Sequence, residues 1–210
     1  MVMNAGAGAL TNAWIVNTPQ LAFSICYLGL NNICTSLAGA EEWNNIARVR
    51  KALRVTDPRG EQRSTYFLQL PYRWSVPLML VSSVLHWLLS QSFFLVRLNV
   101  LDREGNVKNT DSVSACGFSS VSLMVFWAVA LVLICAVATV CMKRMKQSMP
   151  IAASCSCVIS AACHVPHSDV EHHLQKLRWG VVPTPGRSHG HCCITSTLGT
   201  KKPIQRMRYK

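Results

Sequence analysis

Three stretches of 22 residues, Pro19 to Ala40, Trp74 to Leu95 and Val121 to Met142, contain no Asp, Glu, Lys or Arg. A helix needs about 20 mostly apolar residues to cross a hydrocarbon core of roughly 30 Å, so each stretch has the required length. The third reads VSLMVFWAVALVLICAVATVCM and runs straight into Lys143, Arg144 and Lys146. The first is the least apolar, because it holds Asn31, Asn32, Thr35 and Ser36. The pattern predicts an all-α membrane protein. Its three transmembrane helices would be residues 19–40, 74–95 and 121–142, with a loop-rich tail that holds a short helix and a small β-hairpin.

The charges fit the same scheme. Charged residues make up 14% of the chain, against roughly 25% in soluble domains. The 21 Lys and Arg all lie outside the three stretches, and the net charge is +12. Such an excess attracts phosphate polymers and anionic lipid headgroups through the same Coulomb attraction; the apolar stretches select the bilayer and exclude nucleic acid as the partner. Basic residues in short flanks are retained on the cytosolic side. Residues 1–18 have none, and residues 96–120 have only Arg97, Arg103 and Lys108. The segment 41–73 has Arg48, Arg50, Lys51, Arg54, Arg59, Arg63 and Arg73, and residues 143–210 have eleven. Segments 1–18 and 96–120 are therefore expected on the non-cytosolic side, and the loop 41–73 and the tail in the cytosol. The start lacks the basic region of a signal peptide, and the ten cysteines lack the short-chain context of a disulfide framework.

Inside a bilayer, polar side chains mark the face that a helix turns toward protein or water. At 100° per residue, Gln20, Ser24, Tyr27, Asn31 and Thr35 form one narrow row on the first stretch. On the second, Ser82, Ser83, His86 and Ser90, with Ser75, gather around His86. These seams are expected to hydrogen-bond helices to one another. A sharper reading makes His86 a proton or metal site in a pathway, but no carboxylate lies in any of the three stretches to support a relay.

The segment 41–73 opens as a helical extension with Trp43, Ile46, Val49 and Leu53 on an apolar side. Asp57-Pro58-Arg59-Gly60 then spells a turn, and Tyr72 and Trp74 suit an aromatic belt. Arg59, Arg63, Ser64 and Thr65 are candidate contacts for a lipid phosphate. In the tail, residues 151–163 are too short to span and suit a short helix. The runs Leu177–Val182 and Cys192–Thr195 flank a Pro/Gly-rich segment, as in a hairpin. Cys155, Cys157, Cys163, His164, His167, His172, His173, His189, His191, Cys192 and Cys193 are metal-ligand types, but their adjacent pairs fit no ordinary tetrahedral spacing, so no metal is expected. Cys141, Cys155 and Cys157 are weak acylation candidates. No phosphate loop, zinc-protease pair, nucleophile elbow or kinase signature occurs, so no catalytic residue and no cofactor is assigned.

NTPQLAFSICYLGLNNICTSLAGAEEW, RGEQRSTYFLQLPYRWSVPLMLVSSVLHWLLSQSFFLV, SCSCVISAACH and GHCCITS resemble the carboxy-terminal portion of a fungal family of large multi-pass membrane proteins with a domain of unknown function. The resemblance covers most of residues 15–196, and RSTYFLQLPYR is its most specific part. It implies further spans upstream, so that this chain is expected to be a fragment or shortened paralogue. Cys157 and Cys193 depart from the family pattern, which weakens any metal site built on them, and no catalytic residue carries over. The function expected is that of a non-enzymatic polytopic bundle component. It would pack through its polar seams against other transmembrane helices, whether a second copy, a different chain or upstream spans. The alternatives are a transporter-like or membrane-enzyme component with its pathway at His86, and a membrane-tethered module that binds metal or lipid headgroups.

Overall fold

The computed structural model describes residues 2–3, 8–101, 105, 107–143, 149–152, 155–164, 171–183, 190–204, 207 and 209. The elements run β1 (Val2–Met3), α1 (Ala9–Ile46), β2 (Arg54–Val55), β3 (Arg63–Ser64), α2 (Tyr72–Ser92), β4 (Phe93–Leu101), β5 (Val107–Phe118), α3 (Ser120–Met142), α4 (Ser156–Ala162), β6 (Arg178–Val182) and β7 (His191–Thr195). Short 3-10 turns cover Phe67–Gln69 and His172–Leu174.

This architecture corrects the all-α, three-span expectation. The described residues hold three small sheets beside the helices. Among them, two helices are long and apolar enough to cross a membrane, α1 from Leu10 onward and α3. α2 is not a third, because Ser75, Ser82, Ser83, His86, Ser90, Gln91 and Ser92 dilute its apolar content. The supposed loop 96–120 is mostly the β4–β5 hairpin, and that hairpin also takes up Phe93, Phe94 and Leu95 from the end of the second stretch.

The chain divides into two compact units, residues 1–33 with 73–142 and residues 34–72 with 143–210; α1 contributes to both. In the first unit α1 passes through Pro19, which has no amide to offer the carbonyl four residues back. Just before it, Asn17 Nδ2 and Thr18 Oγ1 donate to the carbonyls of Ala13 and Trp14 at 2.8 and 2.7 Å.

β4 and β5 pair antiparallel from Phe93 opposite Phe118 to Leu101 opposite Val107, with an irregularity between Leu98 and Val100, and β1 lies along the other edge of β5. The Ser119 amide donates to the Ser92 carbonyl at 2.9 Å and closes the base of the hairpin. A Cβ at Gly117 would press on the exposed Phe94 ring, which would have to turn aside. Asn12, fully buried, donates Nδ2 to the Ser114 carbonyl at 2.8 Å and so ties α1 to β5. Leu85, Leu88 and Leu89 of α2 and Phe126 of α3 form the core of the unit, with Phe23 of α1 packed against it.

The second unit is built on an antiparallel hairpin, with Arg178 opposite Thr195 and Val182 opposite His191. Its strands β6 and β7 fall on the two β-favouring runs of the tail, and α4 falls within residues 151–163. Lys51 bridges to Leu177 and Lys201 to Val181, so both segments extend the sheet along β6. Ala47, Met149, Ala162, Leu177, Trp179 and Ile194 make the core, and Trp43, Ile46 and Leu53 pack against it. Trp43 donates its indole N–H to the Pro150 carbonyl at 3.0 Å. The Arg50 guanidinium donates to the carbonyls of Ser196 and of Thr197, the latter at 3.0 Å.

The turn expected at Asp57–Gly60 forms two residues later, at Arg59–Gln62, where the Gln62 amide donates to the Arg59 carbonyl at 3.1 Å. Gly60 has a φ of +59°, and a Cβ there would come 2.9 Å from the Leu174 carbonyl oxygen, so glycine answers both the left-handed backbone and the close approach. The next amide, Glu61, donates to that same oxygen at 2.8 Å.

Candidate functional site

On α1, Gln20, Ser24, Tyr27 and Asn31 are half-buried within the first unit, and Thr35 is half-buried within the second. Ser24 Oγ donates back to the Gln20 carbonyl at 2.9 Å. Phe23 of α1, at the margin of this row, meets α2. Its ring lies edge-on to His86 at 4.7 Å and to Phe126 at 5.6 Å.

On α2 the packed face is offset from the predicted seam. Ser75, Leu78, Ser82, Leu85, Leu89 and Ser92 are buried, alternating three and four residues apart as in a heptad seam. Small serines at every other contact, apart from Leu89, leave room for close helix approach. Of the predicted seam, Ser75 and Ser82 lie on that face. His86 is half-buried at its margin, and Ser83 and Ser90 are exposed, with Ser83 Oγ donating to the Met79 carbonyl at 2.9 Å. The heptad spacing of serine and leucine was the signal in the sequence that would have found the packed face.

The candidate phosphate contacts Arg59, Arg63, Ser64 and Thr65 are all exposed. Arg59 stands 3.8 Å from the Asp57 carboxylate. Arg63 and Ser64 lie on β3, and Thr65 donates its amide to the Val55 carbonyl at 3.2 Å. The organising cation is Arg54, which sequence reasoning did not single out. It donates to Glu42 Oε1 at 3.3 Å, to the Ser64 carbonyl at 3.0 Å and to the Tyr66 hydroxyl at 2.5 Å. Its guanidinium carbon also lies 3.7 Å from the centre of the Tyr66 ring.

In the tail, no group of three metal-ligating side chains assembles among the described residues; His167 and His189 lie outside them. The rings of His164 and His191 meet edge-on at 5.8 Å, and His191 Nε2 lies 3.0 Å from the His164 carbonyl oxygen. Cys193 is fully buried, and burial raises the Cys192 thiol pKa above its ordinary value. A thiol so placed forms little of the reactive thiolate. An apolar cavity of about 260 Å³ lies between Trp43, Met149, Cys157, Val158, Ala162 and Trp179. Glu61 is exposed, yet its carboxyl is held below its ordinary pKa, first by the Lys176 amide donating to Oε2 at 3.2 Å and then by the Lys176 ammonium at 3.4 Å.

The most extensive feature of the first unit is its surface. Leu21, Ile25 and Leu28 on α1 and Met124, Trp127, Leu131, Val132 and Ile134 on α3 are all exposed, and Phe126 is the one buried residue of α3.

No curated protein and no solved structure matches the chain. The model of a domain of unknown function, DUF8419, matches residues 8–206, and the chain belongs to that family of uncharacterised domains.

Proposed function

We propose that this protein is an integral membrane protein whose apolar helices α1 and α3 lie in the bilayer and whose basic second unit faces the cytosol. Its role is non-enzymatic: it joins other membrane helices and holds anionic lipid at the cytosolic surface. The observation that carries this reading is the exposure of α3, whose apolar side chains are 62% (Trp127), 62% (Leu131) and 70% (Val132) accessible. A soluble fold buries such a helix; in hydrocarbon, apolar side chains are the outward-facing ones, and the helix satisfies its own backbone. The orientation follows from the basic residues of 41–73 and of the tail, which are retained on the cytosolic side. The polar row Gln20, Ser24, Tyr27 and Asn31 offers hydrogen bonds to a partner helix.

The test is extraction and topology together. The chain is expected to stay in the pellet at alkaline pH and to dissolve only in detergent. A reporter after Lys210 is expected to resist protease added outside intact cells. Recovery in the soluble fraction would overturn the membrane reading, and external removal of the reporter would invert the orientation.

A further inference from the structure

The apolar cavity of about 260 Å³ lies wholly within the second unit. Of the residues that line it, Met149, Ala162 and Trp179 are buried, and Pro150, Cys157 and Ala161 are exposed, so the cavity reaches the surface. On α4, Cys157 and Ala161, like Val158 and Ala162, stand four residues apart and share one face of the helix. Two alanines on that face leave room that larger side chains would fill.

The two indoles that line the cavity differ in one respect. Trp43 Nε1 donates to the Pro150 carbonyl at 3.0 Å. Trp179 is 7% exposed, and its buried Nε1 has no hydrogen-bond partner among the described residues. An indole N–H can only donate, and buried donors are nearly always paired. The wall therefore calls for an acceptor. It calls for no charge, because the other lining residues are Met, Pro, Cys, Val and Ala. A largely apolar pocket with one placed polar group is the usual form of a small-molecule site.

Size narrows the ligand further. A cavity of about 150 Å³ holds benzene, so this one holds roughly ten non-hydrogen atoms by proportion. A peptide segment would bring amide donors that these side chains cannot accept. We infer that the second unit binds a small neutral carbonyl compound, whose oxygen accepts from Trp179 Nε1 and whose hydrocarbon part lies against Trp43 and α4. The inference is independent of the membrane reading, since every lining residue belongs to the second unit.

Cys157 lines the cavity and Cys155 does not, yet both are exposed, so thiol labelling carries its own control. The full chain in detergent is labelled with maleimide during titration with acetophenone, or with α-methylstyrene, which has a methylene in place of the ketone oxygen. Acetophenone is expected to slow labelling of Cys157 several-fold and to leave Cys155 unchanged. Its half-effect is expected at about tenfold lower concentration than that of α-methylstyrene, the scale of one hydrogen bond to a donor otherwise unpaired. Trp179→Phe is expected to abolish that preference. Ala161→Phe, at an exposed position, is expected to fill the cavity and abolish protection by both compounds. Labelling of Cys157 that neither compound slows, or equal slowing at both cysteines, would overturn the site. Protection that survives Ala161→Phe would overturn its placement in this cavity. Equal potency of the two compounds on the wild-type chain, or a preference that survives Trp179→Phe, would overturn the hydrogen bond to Trp179.

Discussion

Phe23 on α1 sets its ring edge-on against the imidazole of His86 on α2, with centroids 4.7 Å apart and planes at 79°. The same ring meets Phe126 of α3 at 5.6 Å, so one side chain joins three helices. Edge-to-face pairs of this kind contribute about 1 kcal/mol beyond the area they bury. His86→Phe is expected to retain that contribution and His86→Ala to lose it. Phe23→Ala is expected to cost more, roughly 2 kcal/mol, because two ring contacts and a larger buried area go together. Denaturant unfolding in detergent micelles, run as a double-mutant cycle, measures the pair. A coupling near zero would mean that the two rings do not support each other.

Asn12 makes a second connection that periodicity could not reveal. Its amide reaches a backbone carbonyl 102 positions away, at Ser114, from a fully buried site. Asn12→Leu keeps the branched shape, with bulkier methyl groups, but leaves the Ser114 carbonyl without this donor. Unpaired buried carbonyls cost about 1–3 kcal/mol, so the variant is expected to unfold at correspondingly lower denaturant. A loss below about 0.5 kcal/mol would show that the bond does not matter to the hold of α1 on β5.

Some of this architecture could be read from the residues. The charge-free runs located α1 and α3, because lack of charge over such length is a property of the chain itself. The hairpin of the tail was legible too, since Arg178–Val182 and His191–Thr195 are short β-favouring runs around a Pro/Gly segment. The β4 strand was hidden by its own apolarity. Phe93, Phe94, Leu95 and Val96 follow α2 without a break, and an apolar run is equally consistent with helix and strand. The alternation Val96, Arg97, Leu98, Asn99, Val100 was the available signal. Pro19 set too late a start for the first helix, because a proline inside α1 looks in sequence like a boundary. The rotation of the packed face of α2 away from His86 depends on Phe23 and Phe126, which hydrogen-bonding patterns do not weigh. Arg54 was one of seven basic residues in its segment, and only the fold distinguishes it.

The Glu61–Lys176 contact gives the second unit a weak pH response. The Lys176 amide and ammonium depress the Glu61 carboxyl pKa in the folded chain. A depressed acid contributes stability above its unfolded pKa and loses it as pH falls through the folded value. The stability difference between wild type and Glu61→Gln is therefore expected to be small and constant from neutral pH to about 5, and to vanish at pH values below the ordinary glutamate pKa of about 4.3. Unfolding curves of the two proteins across that range are the measurement. A difference that grows on acidification would contradict the assignment.

Gly60 is expected to tolerate no side chain. Gly60→Ala combines a left-handed backbone, worth roughly 1–2 kcal/mol against an L-residue, with a Cβ pressed on the Leu174 carbonyl. The variant should expose the Arg59–Gln62 turn, read as faster limited proteolysis there. Gly199, with a φ of +84° and open space around it, separates the two causes, since Gly199→Ala carries the backbone cost alone. Equal effects at both positions would show that the Leu174 contact adds nothing.

Cys135 on α3 and Cys157 on α4 are both exposed on the protein surface, and Cys193 is buried. Water-soluble maleimide reacts with the thiolate, which forms in water and not in hydrocarbon. If α3 lies in a bilayer, Cys135 is covered by lipid although no protein covers it. In isolated open membranes, a charged maleimide followed by peptide mass spectrometry is expected to label Cys157 and to spare both Cys135 and Cys193. After the membrane is dissolved and the chain denatured, all three should react. Labelling of Cys135 in intact membranes as fast as that of Cys157 would place α3 in water and contradict the account.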